Sequence, residues 1–377
     1  MQPVLFHIPL SWLNAAWPDI PIYGYGMMLF AAFLAVNWLG KRLCRKENIN
    51  PDIIPDLAIC LFVTGILGGR IVYIIQYRHN FDNFVQMITL WYGGLVLYGA
   101  LFGGALGYFG FWWFSLRKQG ISNFKMFDIL APCIVVGVAL GRIGCLCTGC
   151  CYGNVACGSQ PALHFPSPSQ PWKTMTDRGY QTPYGFTLNP DMTIDAVEPA
   201  SAADSAGMKA KDLILAINGK AAKTPFDLKE EELPWKLTVM RGNATVNLEV
   251  TPTSVGLHPT QIYETISMCL LLFFLLSYYP YRQWDGELMV LLMFGYAIHR
   301  FLNEMLRTDT DPVAFGLTLS QNISILIFAT GVVMAFLVYR RPRRGEEPPA
   351  STPAPEGAIQ ATPPEAAIQT TPPANPT

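Results

Sequence analysis

Apolar residues fall along this chain in seven long blocks, at 22–39, 54–77, 93–116, 127–147, 262–279, 288–305 and 319–339, with short polar stretches between most of them. A bilayer core of about 30 Å takes about 20 residues of helix, and each block has that length. The pattern predicts an α-helical polytopic membrane protein with seven transmembrane helices. The first block has no basic stretch before it and no small-residue cleavage site, so it reads as a retained span and not a signal peptide.

The polar stretches orient the chain. Lys41, Arg42, Arg45 and Lys46 follow the first block, Arg117, Lys118 and Lys125 the third, Arg282 the fifth, and Arg340, Arg341, Arg343 and Arg344 the last. The other short loops hold little beyond Arg78 and Arg307. Basic residues collect on the cytoplasmic side, so the N-terminus is expected outside and the C-terminus inside. Trp12, Trp17, Trp91, Trp112 and Trp113 lie near block ends, as an interfacial aromatic belt requires.

Two segments break the pattern. Residues 154–257 form a long polar loop that this topology places outside. Its first part is rich in Pro and Ser (HFPSPSQPW). Its second contains ASAADSAGMKAKDLILAINGKAA, where an AGM turn, the short run LILAI and an NGK turn predict a compact β-rich unit. Over 184–252 this unit resembles a PDZ domain of bacterial envelope proteases. In that family a glycine-containing loop donates backbone N–H groups to a peptide C-terminus and the peptide adds a strand. Tyr184-Gly185-Phe186-Thr187 is the candidate loop, and a docking module without a peptide ligand is the alternative. The tail carries a degenerate Pro/Ala/Thr repeat (AIQATPPEA, AIQTTPPAN) and too few apolar residues to fold. The expected organisation is spans one to four in 1–153, an extracytoplasmic loop at 154–257, spans five to seven in 258–339, and a disordered cytoplasmic tail at 340–377.

Composition agrees. Of 377 residues, 51% are hydrophobic and only 14% charged, against about 25% in soluble domains. A net charge of −1 offers no basic face for nucleic acid.

Charges inside the blocks therefore stand out, since each costs about 2.5–3.5 kcal/mol even on the lenient insertion scale. Arg70 lies in ILGGRIVY, Arg142 in ALGRIGC and Glu264 in HPTQIYE, while Arg300 and Glu304 share one helical face in YAIHRFLNEMLR. They either pair with one another and staple the bundle, or hold a buried anion. A guanidinium grips phosphate bidentately, and at this depth the available phosphate is a lipid headgroup. Gly99, Gly103 and Gly107, four residues apart, predict a small-residue face for close helix packing. Gly141 and Gly144, flanking Arg142, would let backbone approach a ligand or neighbour.

Taken in order, these stretches resemble the prolipoprotein diacylglyceryl transferase family over nearly the whole membrane part. YGYGMM, GGRIVY, LWYGGLVLYGALFGG, DILAP, GRIGCLCTGCCYG, HPTQIYE, GYAIHRFLNEMLR and LTLSQ follow in the family's sequence. The resemblance implies a bacterial inner-membrane enzyme, needing neither metal nor cofactor. Its partners would be phosphatidylglycerol, prolipoprotein lipobox peptides and a peptide ligand of the PDZ-like unit. It would move the diacylglyceryl group of phosphatidylglycerol onto the lipobox cysteine, forming a thioether and releasing glycerol phosphate. By position Arg142 and Arg300 match the family's essential arginines, which would offset charge on the leaving group. Tyr25, Arg70, Gly141, His258, Glu264, Glu304 and Arg307 would complete the lipid contacts and the ion network.

Two positions depart from the family. Tyr98 stands where its histidine is usual, and a phenol near pKa 10 is a poorer base at neutral pH than imidazole. Tyr98 would then orient the headgroup or relay a proton, with His258 as a substitute base. Cys145 and Cys150 replace an asparagine and an acidic residue of the signature, with Cys147, Cys151 and Cys157 around them. Outside the cell Cys147 and Cys150 (CxxC) would form a disulfide or redox pair; alternatively the thiols pack as small apolar groups. A metal ligand set would have to recruit the distant His164 and His258. The alternatives to the transferase are an inactive scaffold carrying the PDZ-like module and a membrane thiol–disulfide oxidoreductase. A site-2-type protease would need HExxH, which is absent.

Overall fold

The computed structural model describes residues 4–9, 19–78, 94, 96–156, 160–222, 224, 227–230, 233–307 and 312–344. Trp12, Trp17, Trp91, Cys157 and the tail beyond residue 344 lie outside the described residues.

A two-stranded ribbon, β1 (Val4–Ile8) antiparallel to β2 (Ile20–Tyr23), leads into α1 (Gly24–Lys46). Then follow α2 (Ile53–Gln76), α3 (Leu97–Phe111) and α4 (Asn123–Thr148). The third block predicted a single helix over 93–116. Regular helix ends at Phe111 and continues as a wider π turn, Trp112–Leu116. The first block's helix runs seven residues past its predicted end at 39, so Lys41, Arg42, Arg45 and Lys46 are helical. Among the described residues, five helices are long and apolar enough to cross a membrane: α1, α2, α4, the segment Thr260–Tyr281 and Leu319–Tyr339.

Helices α2 and α3 lie against each other along the glycine face. A Cβ at Gly99 or Gly103 would overlap the backbone carbonyl oxygens of Gly68 and Thr64. Only glycine permits that approach, the packing role the four-residue spacing predicts. Helix α1 packs on α4, where a Cβ at Gly144 would come within 2.9 Å of the Tyr25 ring. Among the described residues nothing lies within 4 Å of a Cβ at Gly141.

The polar loop is two packed pieces. Its Pro/Ser-rich part, expected as loop, carries α5 (Gln170–Asp177) and a small core of Tyr152, Phe165, Met175 and Leu257, bridged by backbone pairing of Leu163 with Leu257. Beyond it stand a hairpin, β3 (Phe186–Leu188) with β4 (Ile194–Val197), and an antiparallel sheet in the order β6-β5-β7-β8. Those strands are β5 (Leu213–Ile217), β6 (Lys220–Ala221), β7 (Trp235–Arg241) and β8 (Ala244–Val250). LILAI is β5, and Asn218 and Gly219, both at positive φ, turn the chain into β6. Phe186, Ile194, Ile214, Trp235, Leu237 and Val239 make this unit's own core.

The chain re-enters the bundle as α6 (Thr260–Tyr278), α7 (Glu287–Glu304) and α8 (Leu319–Tyr339), with β9 (Pro312–Ala314) and β10 (Leu317–Thr318) pairing before α8. Helix α6 packs on α4, and α8 on α7. Outward faces carry Phe62, Phe102, Phe114, Leu270, Phe273 and Leu326 to the surface, as an apolar solvent requires. At the end where α1 finishes, Glu47 accepts from Arg282 and Arg344 and pairs with Lys125. Asp128, fully buried, accepts the Gly286 and Leu288 N–H groups at 2.9 Å and so caps α7 from α4.

Candidate active site

The expected site residues collect at the opposite end of the bundle. Tyr25 and Tyr98 are the second residues of α1 and α3, Arg142 lies in the last two turns of α4, and Glu264 in the first two of α6. Arg300 and Glu304 end α7, and Ser320 opens α8. Antiparallel packing brings these distant segments to one level.

Glu264 is the centre, 1% exposed. Its Oε1 lies 3.0 Å from Arg142 Nε and its Oε2 3.6 Å from Arg300 Nη1. Asn303 Nδ2 donates to the same Oε2 at 3.2 Å. Arg300 Nη2 is 2.9 Å from Glu304 Oε2 and donates to Ser320 Oγ at 2.8 Å. Thr318 Oγ1 donates to Glu304 Oε1 at 3.2 Å, and Arg307 Nε lies 4.0 Å from Oε2. Thr318 also caps α8 through a capping box with Gln321, so LTLSQ both starts the helix and completes the network. Arg142 also interacts electrostatically with Tyr296. The arginines do pair with Glu264 and Glu304, as the stapling alternative predicts. Three guanidiniums face these two carboxylates, and Arg300 Nη1 is buried with no hydrogen-bond partner among the described residues.

Other candidates are placed apart or in supporting roles. Arg70, 6% exposed, donates to the Gly94 carbonyl at 3.1 Å and lies over the Tyr73 ring. It sits with Tyr98 on the α2–α3 pair. Tyr98 is 43% exposed, beside an apolar groove of about 820 Å³ floored by Gly68, Gly99, Gly103 and Gly107. His258 faces Tyr263, its Nδ1 3.2 Å from the phenol oxygen, and its carbonyl accepts from Gly153 N–H. Tyr296, Asn303 and Ser320 were missed by sequence reasoning. So was His299, whose buried Nε2 has no hydrogen-bond partner among the described residues and which interacts electrostatically with Glu264, Arg300 and Arg142. Its signal was adjacency to Arg300 in IHRFLNE.

The signature stretch ends α4 and turns. Gly149 (φ +72) and Cys151 (φ +59) are left-handed, and the turn brings the Cys145, Cys150 and Cys151 sulfurs within 4.8 Å of one another. HPTQIYE holds that turn: Gln261 Nε2 donates to the Cys150 carbonyl and Thr260 Oγ1 to the Cys151 carbonyl, each at 2.6 Å. All described cysteines are free thiols, so the Cys147–Cys150 disulfide is not formed. Cys147 faces Gly24 of α1 instead of joining the cluster, because the helix carries it to another side than the turn. Its thiol packs, as the apolar alternative predicts. His164 is held by the Ser254 carbonyl at 2.9 Å, and neither it nor His258 joins the three sulfurs.

A family model described as prolipoprotein diacylglyceryl transferase matches residues 13–337. Curated relatives bear the name phosphatidylglycerol–prolipoprotein diacylglyceryl transferase. That of Rhodopirellula baltica is 28% identical, over 85% of this chain and 73% of its own length. That of Clostridium tetani is 26% identical over 88% and 96%, and that of Psychrobacter arcticus 27% over 90% and 96%. Among solved structures, the HtrA3 PDZ domain bound to a phage-derived ligand is similar over 24% of this chain and 82% of its own, with 20% identity and a TM-score of 0.16.

Proposed function

The chain belongs to the prolipoprotein diacylglyceryl transferase family, and on that premise we propose that it transfers the diacylglyceryl group of phosphatidylglycerol to the lipobox cysteine of prolipoproteins at the Arg142–Glu264–Arg300 network. The observation that carries the assignment to this site is the convergence of two guanidiniums, Arg142 and Arg300, on one buried carboxylate at one end of the bundle, a pair of forks suited to a phosphodiester. The thiol gives its proton to water, its sulfur bonds to the glyceryl carbon, the carbon–oxygen bond to phosphate breaks, and glycerol phosphate departs with the bonding electrons. It then carries two negative charges, and Arg142 and Arg300 are already oriented to offset the added one. Glu264 and Glu304 fix both guanidiniums, so little reorganisation is needed as that charge develops.

The donor's acyl chains lie in the groove between α2 and α3, with Arg70 and Tyr98 at its mouth for the headgroup. Tyr25, Gly141, His258 and Arg307 line the approach to the arginines. Helices α3 and α7 are taken as further spans, giving seven, in a bacterial inner membrane with the network at the extracytoplasmic end and the tail inside. The positions of the basic residues support this orientation. The unit at 184–252 is read as a PDZ-like module offering the Tyr184–Thr187 loop to a peptide.

The test is a direct transfer assay with purified protein, phosphatidylglycerol and a lipobox peptide, read by mass spectrometry. A diacylglyceryl mass gain on the peptide cysteine is expected. Arg142→Ala should lose about 10²–10³ in kcat, the scale of a lost transition-state donor. Lysine, lacking the fork, should not restore it. No mass gain from the intact, folded wild-type chain would refute the reading.

A further inference from the structure

We propose that Cys145, Cys150 and Cys151 form a three-thiolate site for a zinc-class divalent metal, whose remaining coordination position takes the thiol of the incoming lipobox cysteine. This deepens the transferase reading and rests on it.

Four observations lead there. First, the three sulfurs already lie within 4.8 Å of one another. Tetrahedral coordination at a metal–sulfur distance of about 2.3 Å places sulfurs about 3.8 Å apart, so small side-chain rotations suffice. Second, the turn that assembles them is constrained. Cys151 adopts a left-handed φ of +59°, uncommon outside glycine. The Cys150 N–H donates to the Cys145 carbonyl at 3.1 Å, and Gln261 and Thr260 of α6 tie down the two following carbonyls. Sparsely populated backbone conformations held by their surroundings cluster at functional sites. Third, the donor set is all sulfur, which selects soft or borderline metals, and three protein ligands with one open position is the catalytic pattern for zinc. Fourth, Arg142 and Arg307 both act electrostatically on Cys151. Three thiolates around a divalent ion carry one surplus negative charge, and these guanidiniums lie within electrostatic reach of it.

The chemistry answers a need that neither Tyr98 nor His258 meets. The nucleophile is itself a thiol, whose pKa of about 8.5 leaves it mostly protonated at neutral pH. Coordination to the metal deprotonates it, the proton passing to water at the extracytoplasmic face. The bound thiolate then attacks the glyceryl carbon, its lone pair forming the S–C bond. The C–O bond breaks toward phosphate, and the thioether, a weaker ligand, leaves the metal. No electron is gained or lost by the protein or the metal. The family resemblance implies a reaction without metal, with an asparagine and an acidic residue where this chain has Cys145 and Cys150. A branch of the family carries a cysteine-rich version of this signature, and the proposal concerns that version.

The experiment uses the full chain, purified in detergent with a non-chelating reductant and with any affinity tag removed. Metal per chain is measured by mass spectrometry of the elements. Cobalt(II) is loaded into the metal-free protein, and its thiolate charge-transfer band is followed as lipobox peptide is added. One zinc per chain and a cobalt–thiolate band that changes with the peptide are expected. Cys150→Ser and Cys151→Ser should lose the metal, while Cys147→Ser, outside the cluster, retains it. Metal-free protein should transfer about ten- to thirtyfold more slowly at neutral pH, the fraction by which a free thiol is under-ionised, and zinc should restore the rate. Absence of zinc together with no cobalt–thiolate band in the wild-type chain would overturn the proposal. So would an indifferent band, a preference for copper(I), or full-rate transfer by the metal-free protein. The last result would leave the transferase reading standing, with His299 as the base to examine next. A peptide-responsive band in a chain that transfers nothing would keep the metal site and overturn the transferase reading instead.

Discussion

Glu264 shows what a single buried carboxylate can organise. Arg142 comes from α4, Arg300 and Asn303 from α7, and all three converge on its two oxygens. Removing one partner from a buried charge network leaves the others uncompensated, at about 3–5 kcal/mol. Glu264→Gln keeps the shape and one hydrogen bond but strips the charge, so it should lower thermal stability in detergent by about 3 kcal/mol and abolish transfer. A variant that keeps full stability and rate would show the carboxylate to be dispensable. Tyr98 is a different kind of residue. It is exposed on α3, next in sequence to Gly99 of the groove floor, so Tyr98→Phe is expected to raise KM for phosphatidylglycerol while leaving kcat nearly unchanged. A fall in kcat alone would instead place its hydroxyl in the chemical step.

Among the elements, α2 and α3 depend on glycine most directly. The backbones touch where Gly99 and Gly103 face Gly68 and Thr64, and the neighbouring atoms are carbonyl oxygens that cannot swing aside. Gly103→Leu should therefore cost about 1–3 kcal/mol of overpacking, and it should also narrow the groove assigned to the acyl chains. At Gly26 a Cβ would meet nothing within 4 Å, so Gly26→Ala serves as the control and should be neutral. Thermal unfolding of the two variants side by side checks both. Asp128 illustrates a second kind of element-level contact, in which a side chain of α4 satisfies the orphan N–H groups that begin α7. It explains why DILAP carries an acid in an otherwise apolar helix.

Across the whole molecule, charge is confined to two ends of an apolar bundle, one for chemistry and one for assembly. At the assembly end Glu47 draws together Arg282, Arg344 and Lys125 from well-separated parts of the chain. Burial acts to raise its pKa, but hydrogen bonds from Arg344 and Arg282 outweigh that and hold it at about 2, below its ordinary 4.5. A depressed carboxylate contributes its stability fully above the ordinary value and loses it as pH falls toward the folded one. The unfolding midpoint should therefore drop between pH 4.5 and about 2, and Glu47→Gln should flatten that drop. The insert has its own core. Gln181 before it bonds the backbone of Thr253 and Val255 after it, so its ends lie close together. Replacing residues 184–252 by a short flexible linker should leave a folded bundle that still transfers the lipid, measured by the same peptide assay.

Periodicity and apolar length alone determined where the helices lie, since a segment must satisfy its own backbone in an apolar solvent and so declares itself locally. The last helix matches its predicted 319–339, and LILAI and NGK mark a strand and a turn that form as read. The order of short motifs determined the family. What the sequence left open was partnership. Whether Arg142 and Arg300 face Glu264 or stand free, and whether Cys147 or Cys151 joins Cys145 and Cys150, depends on how helices far apart in the chain are rotated against one another. Residues such as His299 and Ser320 looked ordinary because their neighbours come from other helices. The packing of α4, α6, α7 and α8 decided these things, because side-chain contacts between antiparallel helices carry no signature at short range.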